Sequence, residues 1–223
     1  LETEDAQKIA AWVKSERLNK HTVKAVLPEI ASDSEGIINF ATTGIVSGEN
    51  TYTSAQFCSR IAGVIAGTPM TVSCTYAPLP EVSDVKRLTL EEMDTAVDAG
   101  KFILFHDGEK VKTGRAVNSL VTTTDEKGGA FQKIKIVETV DMIQNDVRKT
   151  AQDNYIGKYS NSYDNKLLLV TAIQGYFEEL ERAGILESGS SEVGIDIDAQ
   201  EAYLKSTGVD TSSMNEQEIK AAN

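Results

Sequence analysis

Apolar positions along the first 112 residues change period several times. In DAQKIAAWVKSERLNK, Ile9, Trp12 and Val13 recur at helical spacing, and VKAVLP then has the length and proline stop of a buried strand. DSEG turns the chain into a second short apolar run, IINF. In TYTSAQFCSRIAGVIAGTP, Thr53 or Ser54 can cap a helix that Gly67 and Pro69 close. Ala55, Ser59, Ala62, Gly63, Ala66 and Gly67 make that helix small-sided, which predicts close packing against a sheet or a neighbour. Thr89 and Glu92 form a capping box over LTLEEMDTAVDAG, with Gly100 as its stop. FILFH then reads as a strand, and Asp107-Gly108 signals a hairpin into EKVKT. Helices alternating with short apolar strands predict an α/β layer over residues 1–112.

The pattern changes after Gly114. AVNSLVTTT and FQKIKIV are β-rich runs joined by DEKGGA, which predicts an antiparallel hairpin. Val140, Ile143, Val147 and Ala151 then recur every three or four residues, with acidic residues early and Arg148 and Lys149 late, the order that suits a helix dipole. A second long helix is expected from Tyr163 to about Ala183, ended by Gly184. Its stripe of Leu167, Val170, Ile173, Phe177 and Leu180 is widened by Leu168, Leu169, Ala172 and Tyr176, so cover on two sides is expected. Asn215 and Glu218 form one more capping box, over a short helix. The expected fold class is therefore α/β plus α+β, with a second domain of hairpin and long helices at residues 113–223.

Charge narrows the partners. The formal net charge is −12, and residues 178–223 hold 3 basic and 11 acidic residues, a net −8. Such a region repels phosphate backbones, so no nucleic-acid partner is expected. No apolar run approaches the roughly 20 residues that span a bilayer, and no basic start leads into a signal-peptide core; no membrane insertion is expected. Cys58 and Cys74 stand among Ala, Ile, Thr and Val without a CxxC, which predicts two buried reduced thiols, suited to a reducing cytoplasm. The chain begins at Leu1 and stops at Asn223 within a helical pattern, so both ends are expected to be trimmed.

Candidate chemistry is thin. A nucleophilic triad needs a histidine base, and the two histidines are His21 and His106. His106 stands at a strand end, where α/β folds place sites, but no Gly-x-Ser-x-Gly elbow accompanies it. Gly63-Val-Ile-Ala-Gly67-Thr-Pro has the wrong spacing for a phosphate loop and lacks its lysine. Asp196, Asp198 and Glu201 lack the glycine and length of a calcium loop. Glu91–Glu92 and Glu178–Glu179 are adjacent helical pairs that point apart. No catalytic, cofactor-binding or metal residue is expected, and no enzyme activity. An adhesin would call for an exposed aromatic surface, which 6% aromatic content gives little support.

RAVNSLVTTT, FQKIKIVETVDMIQNDVRKT, DNYIGKYSNSYDNKLLLVTAIQGYFEELE and IDIDAQ resemble the C-terminal half of contractile phage tail sheath proteins, close to those of prophages and phage-like elements of Gram-positive bacteria. AGVIAGTPMTVSCTYAPLPEV, AVDAG and FILFHDG resemble the preceding domain of that family, so the likeness runs collinearly through nearly the whole chain. It implies a subtilisin-like α/β sheath domain without protease activity over residues 1–112, and a C-terminal sheath domain over 113–223. It also implies a virion subunit, made and assembled in the host cytoplasm, that polymerises helically around the inner tail tube and contracts to drive the tube through the envelope. The implied partners are neighbouring sheath subunits joined through N- and C-terminal arms, the tube protein, the baseplate and the tail terminator. Family members extend beyond both ends of this chain, so without arms it is expected to fold but not to polymerise. The sheath of a headless bacteriocin or injection system is the near alternative, and a hydrolase on a subtilisin-like scaffold the distant one.

Overall fold

The structure, a computed structural model, describes residues 3–125 and 127–222. The chain forms two compact units, Leu1–Met142 and Ile143–Asn223.

The first unit is built on a parallel sheet. Strands β1 (Ala25–Pro28), β2 (Ile37–Phe40) and β5 (Lys101–Phe102) lie in the order β1-β2-β5. Alternation sends Leu27 and Ile37 to one face, where they pack with Ala6, Ala10 and Val13 of helix α1 (Thr3–Leu18). Ile38, Phe40 and Phe102 go to the other face, with Phe57, Cys58 and Ile61 of helix α2 (Ser54–Ala66). Parallel strands covered on both faces read as near-continuous apolar runs, which is why AVLP and IINF stood out. Antiparallel pairs β3–β4 (Ile45–Ser47, Asn50–Tyr52) and β6–β7 (Leu104–His106, Val111–Thr113) flank this core, the latter across the expected Asp107-Gly108 turn. Helix α3 (Leu90–Asp98) starts at the expected Thr89–Glu92 box, and Gly100 follows at φ +69°.

Three expectations are corrected here. Residues 116–137 do not form a hairpin: a 3-10 turn at Gly129–Gln132 leads into helix α4 (Ile134–Asn154), and a single bridge joins Val117 to Lys133. Ile134, Val137 and Asp141 are buried at helical spacing, so tertiary contact overrides the β propensity of IKIV. The donors of the preceding run are taken up elsewhere. Ser119 N donates to Ile37 O at 2.8 Å, and Asp33 Oδ1 accepts from Val121 N at 2.8 Å and Thr122 N at 2.9 Å. Trp12 is 54% exposed, because it lies off the face of α1 formed by Ala6, Ala10 and Val13, whose small residues approach the sheet closely. Gly36 permits that approach, since a Cβ there would sit 2.3 Å from Arg17 Cδ. The small-sided stripe of α2 does not pack on the sheet of its own chain: Ser59, Ala62, Gly63 and Ala66 are exposed while Phe57 and Ile61 point inward.

The second unit is helical. Helix α5 (Tyr163–Arg182) occupies the expected span, capped by Ser162 and ended by Gly184 at φ +73°. Helices α6 (Ile197–Ser206) and α7 (Glu216–Ala221) pack together, with Leu204 and Ile219 buried, and α7 opens at the expected Asn215–Glu218 box. Of the apolar stripe on α5, Leu180 alone is fully buried, while Leu168 stays 54% exposed. The expectation of cover on two sides is therefore not met within the described residues. No helix among them is long and apolar enough to cross a membrane.

Candidate functional site

The residues that carry candidate chemistry are each engaged in the fold. His106 Nδ1 accepts from Gly108 N at 2.9 Å, which fixes the turn between β6 and β7. Beside it Asp107 pairs with Lys112, and that bond, with the N–H groups of Lys110 and Glu109, holds its carboxyl below the usual range. His21 Nδ1 lies 2.6 Å from Glu16 Oε2 on the surface. Neither histidine meets a serine or cysteine nucleophile in these contacts. Both thiols are buried, and desolvation pushes each up to about 11, the opposite of an activated nucleophile. Cys58 donates to Ser54 O at 3.2 Å, within its own helix.

The acidic residues of the second unit are spread over separate duties. Asp196 caps α6 through Ala199 N at 2.9 Å, while Glu201 accepts from Thr211 Oγ1 at 2.8 Å and pairs with Lys205 at 2.9 Å. Glu92 belongs to its capping box, and Gly63 to Gly67 lie in or at the end of a helix rather than in a loop. Among the described residues no group of three or more His, Cys, Asp or Glu is placed to hold a metal ion.

A buried ion cluster is the most concentrated electrostatic feature of the first unit. Arg17 donates to Asp141 from Nη1 at 2.9 Å and Nη2 at 3.0 Å, and to Glu35 from Nε at 3.1 Å. Lys24 reaches Asp141 at 3.0 Å and Glu138 at 2.9 Å, and Lys127 reaches Glu35 at 2.7 Å. Burial alone would raise the Glu35 carboxyl, but hydrogen bonds from Lys127 and Arg17 outweigh it and hold that carboxyl below its ordinary value. The cluster fastens α1, the β1–β2 turn and α4 together. It was missed in the sequence, because its members are scattered over 124 positions.

The second unit carries an apolar cleft on its surface. Leu169, Ala172, Ile173 and Tyr176 of α5, with Val147 and Thr150 of α4, line a cleft of about 270 Å³. Tyr176 Oη donates to Asp146 Oδ2 at 2.6 Å across it, and burial and that carboxylate push the phenol up. Leu168, Ile156, Tyr159 and Tyr203 are each more than half exposed. Open apolar surface of this kind suits contact with other proteins.

Comparison with known proteins agrees. Residues 3–119 match the phage tail sheath protein central domain, and residues 126–216 match the phage tail sheath C-terminal domain. The chain belongs to the phage tail sheath family. It is 42% identical over 217 residues to the tail sheath protein of Clostridium phage phiCD119, covering 97% of this chain and 60% of that protein. It is 30% identical to the phage-like element PBSX protein XkdK of Bacillus subtilis, over 86% of this chain and 43% of that one. The chain thus spans less than two thirds of these relatives. The sheath tail protein of Desulfitobacterium hafniense has the same fold, with a TM-score of 0.75 and 26% identity over 82% of this chain and 44% of that one. The anti-feeding prophage helical sheath in its contracted state shares the fold at a TM-score of 0.62 and 19% identity, over 86% and 55%.

Proposed function

We propose that this chain acts as a structural subunit of a contractile tail sheath, packing helically around an inner tube and driving it forward when the array shortens. The observation that carries this reading is the collinear match of two successive sheath domains over residues 3–216. The geometry supports it. Self-assembly into a helix needs a heterologous interface that does not close into a ring, and rigid subunits to transmit force. Contraction then needs two packings of unequal free energy, with the extended one kinetically trapped, and no catalytic group. The parallel β1-β2-β5 layer between α1 and α2 is compatible with an α/β core of subtilisin type whose catalytic residues are lacking. The tube protein, the baseplate and neighbouring subunits are the partners of this reading.

A headless contractile particle is the second reading, favoured by the likeness to the protein of a phage-like element and to the anti-feeding prophage sheath. Immunogold labelling tests the common claim. Antibodies raised against this chain should decorate the shafts of contractile particles released by cells that carry its gene. Label confined to capsids, or to soluble protein only, would overturn it.

A further inference from the structure

A pocket of about 440 Å³ lies at the carboxyl ends of β1 and β2, beside the start of β5, and open α/β sheets place their ligands at such strand ends. Glu29 follows β1, Thr42 and Thr43 follow β2, and Lys101 opens β5. Asn39 and Lys101 are register partners, so their side chains stand on one face of the sheet. Lys86 is brought to the rim by its backbone N–H, which donates to Thr43 O at 3.1 Å.

Two features of the pocket point to a ligand. Lys86 and Lys101 converge on it, yet neither enters an ion pair among the described residues, although the chain carries a net charge of −12. Lys86 acts on Glu92 only at a distance. Asn39, 1% exposed, lies at the pocket floor, and its Oδ1 is a buried acceptor without a hydrogen-bond partner among the described residues. Leaving such an atom unpaired is costly. Glu29 does not compensate the lysines from within: its carboxylate accepts from Ser54 Oγ at 3.2 Å, and its backbone is held at φ +55°.

Two cations beside an acceptor in need of an N–H describe a ligand that brings carboxylates on a peptide backbone. A bare carboxylate or phosphate would satisfy the lysines but not Asn39. This chain supplies such a segment: residues 185–196 form an irregular connection, with exposed Glu187, Glu192 and Asp196, inside the region of net charge −8. We infer that the strand-end pocket of one copy receives the acidic 187–196 segment of a second copy, with Lys86 and Lys101 taking its carboxylates and a backbone N–H meeting Asn39. The inference rests on the sheath reading, in which copies pack side by side, and names one contact of that packing. Charge complementarity of this kind fixes register between copies more than affinity.

The test is fluorescence anisotropy with a labelled peptide of residues 185–199 and the 223-residue chain at low salt. Binding that weakens with salt, falls about tenfold or more in the Lys86→Glu/Lys101→Glu variant, and returns when the peptide carries Glu187→Lys and Glu192→Lys is the expected result. No binding up to about 1 mM peptide, or equal binding by the wild-type and variant proteins, would overturn it. Displacement of the peptide by acetate at a matching concentration would also overturn it, by assigning the pocket to free carboxylates. The assay needs no tube, so its failure is separable from a failure of the sheath reading.

Discussion

Arg17 and Asp141, 124 positions apart, form a two-pronged ion pair largely shielded from water. Removing Arg17 takes the two-pronged donor from Asp141 and one donor from Glu35, leaving Lys24 and Lys127 to neutralise these carboxylates only in part. Arg17→Ala should therefore destabilise the first unit by about 2 kcal/mol, below the cost of a fully unpaired buried charge. Urea unfolding followed by circular dichroism checks this, and a loss under about 1 kcal/mol, the value of an exposed pair, would count against it.

The same cluster sets an acid limit. The folded Glu35 carboxyl titrates below its unfolded value, so its contribution is complete above the unfolded value of about 4.3 and is lost as pH falls through the depressed folded value. Asp33 acts in the same direction, held low by the Thr122 hydroxyl and by the N–H groups of Thr122 and Val121. Urea midpoints measured between neutral pH and about pH 3 should fall on acidification, and Glu35→Gln should flatten that slope.

Gly100 sits at φ +69°, and a Cβ there would lie 3.1 Å from the backbone of Asn118 and Ser119. Gly100→Ala should cost about 2 kcal/mol, from the left-handed backbone and the rigid neighbour together. The shift of the thermal midpoint gives the measurement, with Gly108→Ala as a comparison in open space.

Both thiols should be silent in the native state. With values pushed up to about 11, Cys58 and Cys74 are roughly one part in a thousand thiolate at pH 8. A thiol-exchange reagent should titrate neither within minutes until denaturant is added, and then both. Rapid native reaction would show that the core around α2 opens.

Lys166 fastens the end of the second unit, donating to Ala222 O at 2.8 Å, where Gln200 Nε2 also donates at 2.8 Å. Lys166→Met should speed amide hydrogen exchange across residues 216–222 several-fold while leaving α5 protected. Unchanged exchange in α7 would mean that its packing on α6 alone holds it.

Local signals were legible. Thr89 with Glu92, Asn215 with Glu218, and Gly184 each fix a helix end by chemistry confined to a few residues, and each stands where the sequence placed it. Long-range choices were not. FQKIKIV suits a strand and a helix turn equally, and the decision fell to Ile134, Val137 and Asp141 meeting the core. The Arg17 cluster and the strand-end pocket bring together residues from distant segments, so no spacing announces either. The exposed small stripe of α2 and open face of α5 show a further limit: apolar patterning marks surfaces that seek a partner without saying whether the partner lies in the same chain.

The central claim is tested most directly by negative-stain electron microscopy of the full product of the gene that encodes this chain. The sheath account predicts helical tubes of uniform diameter with a regular axial repeat. Compact, unassembled particles under all assembly conditions would contradict it.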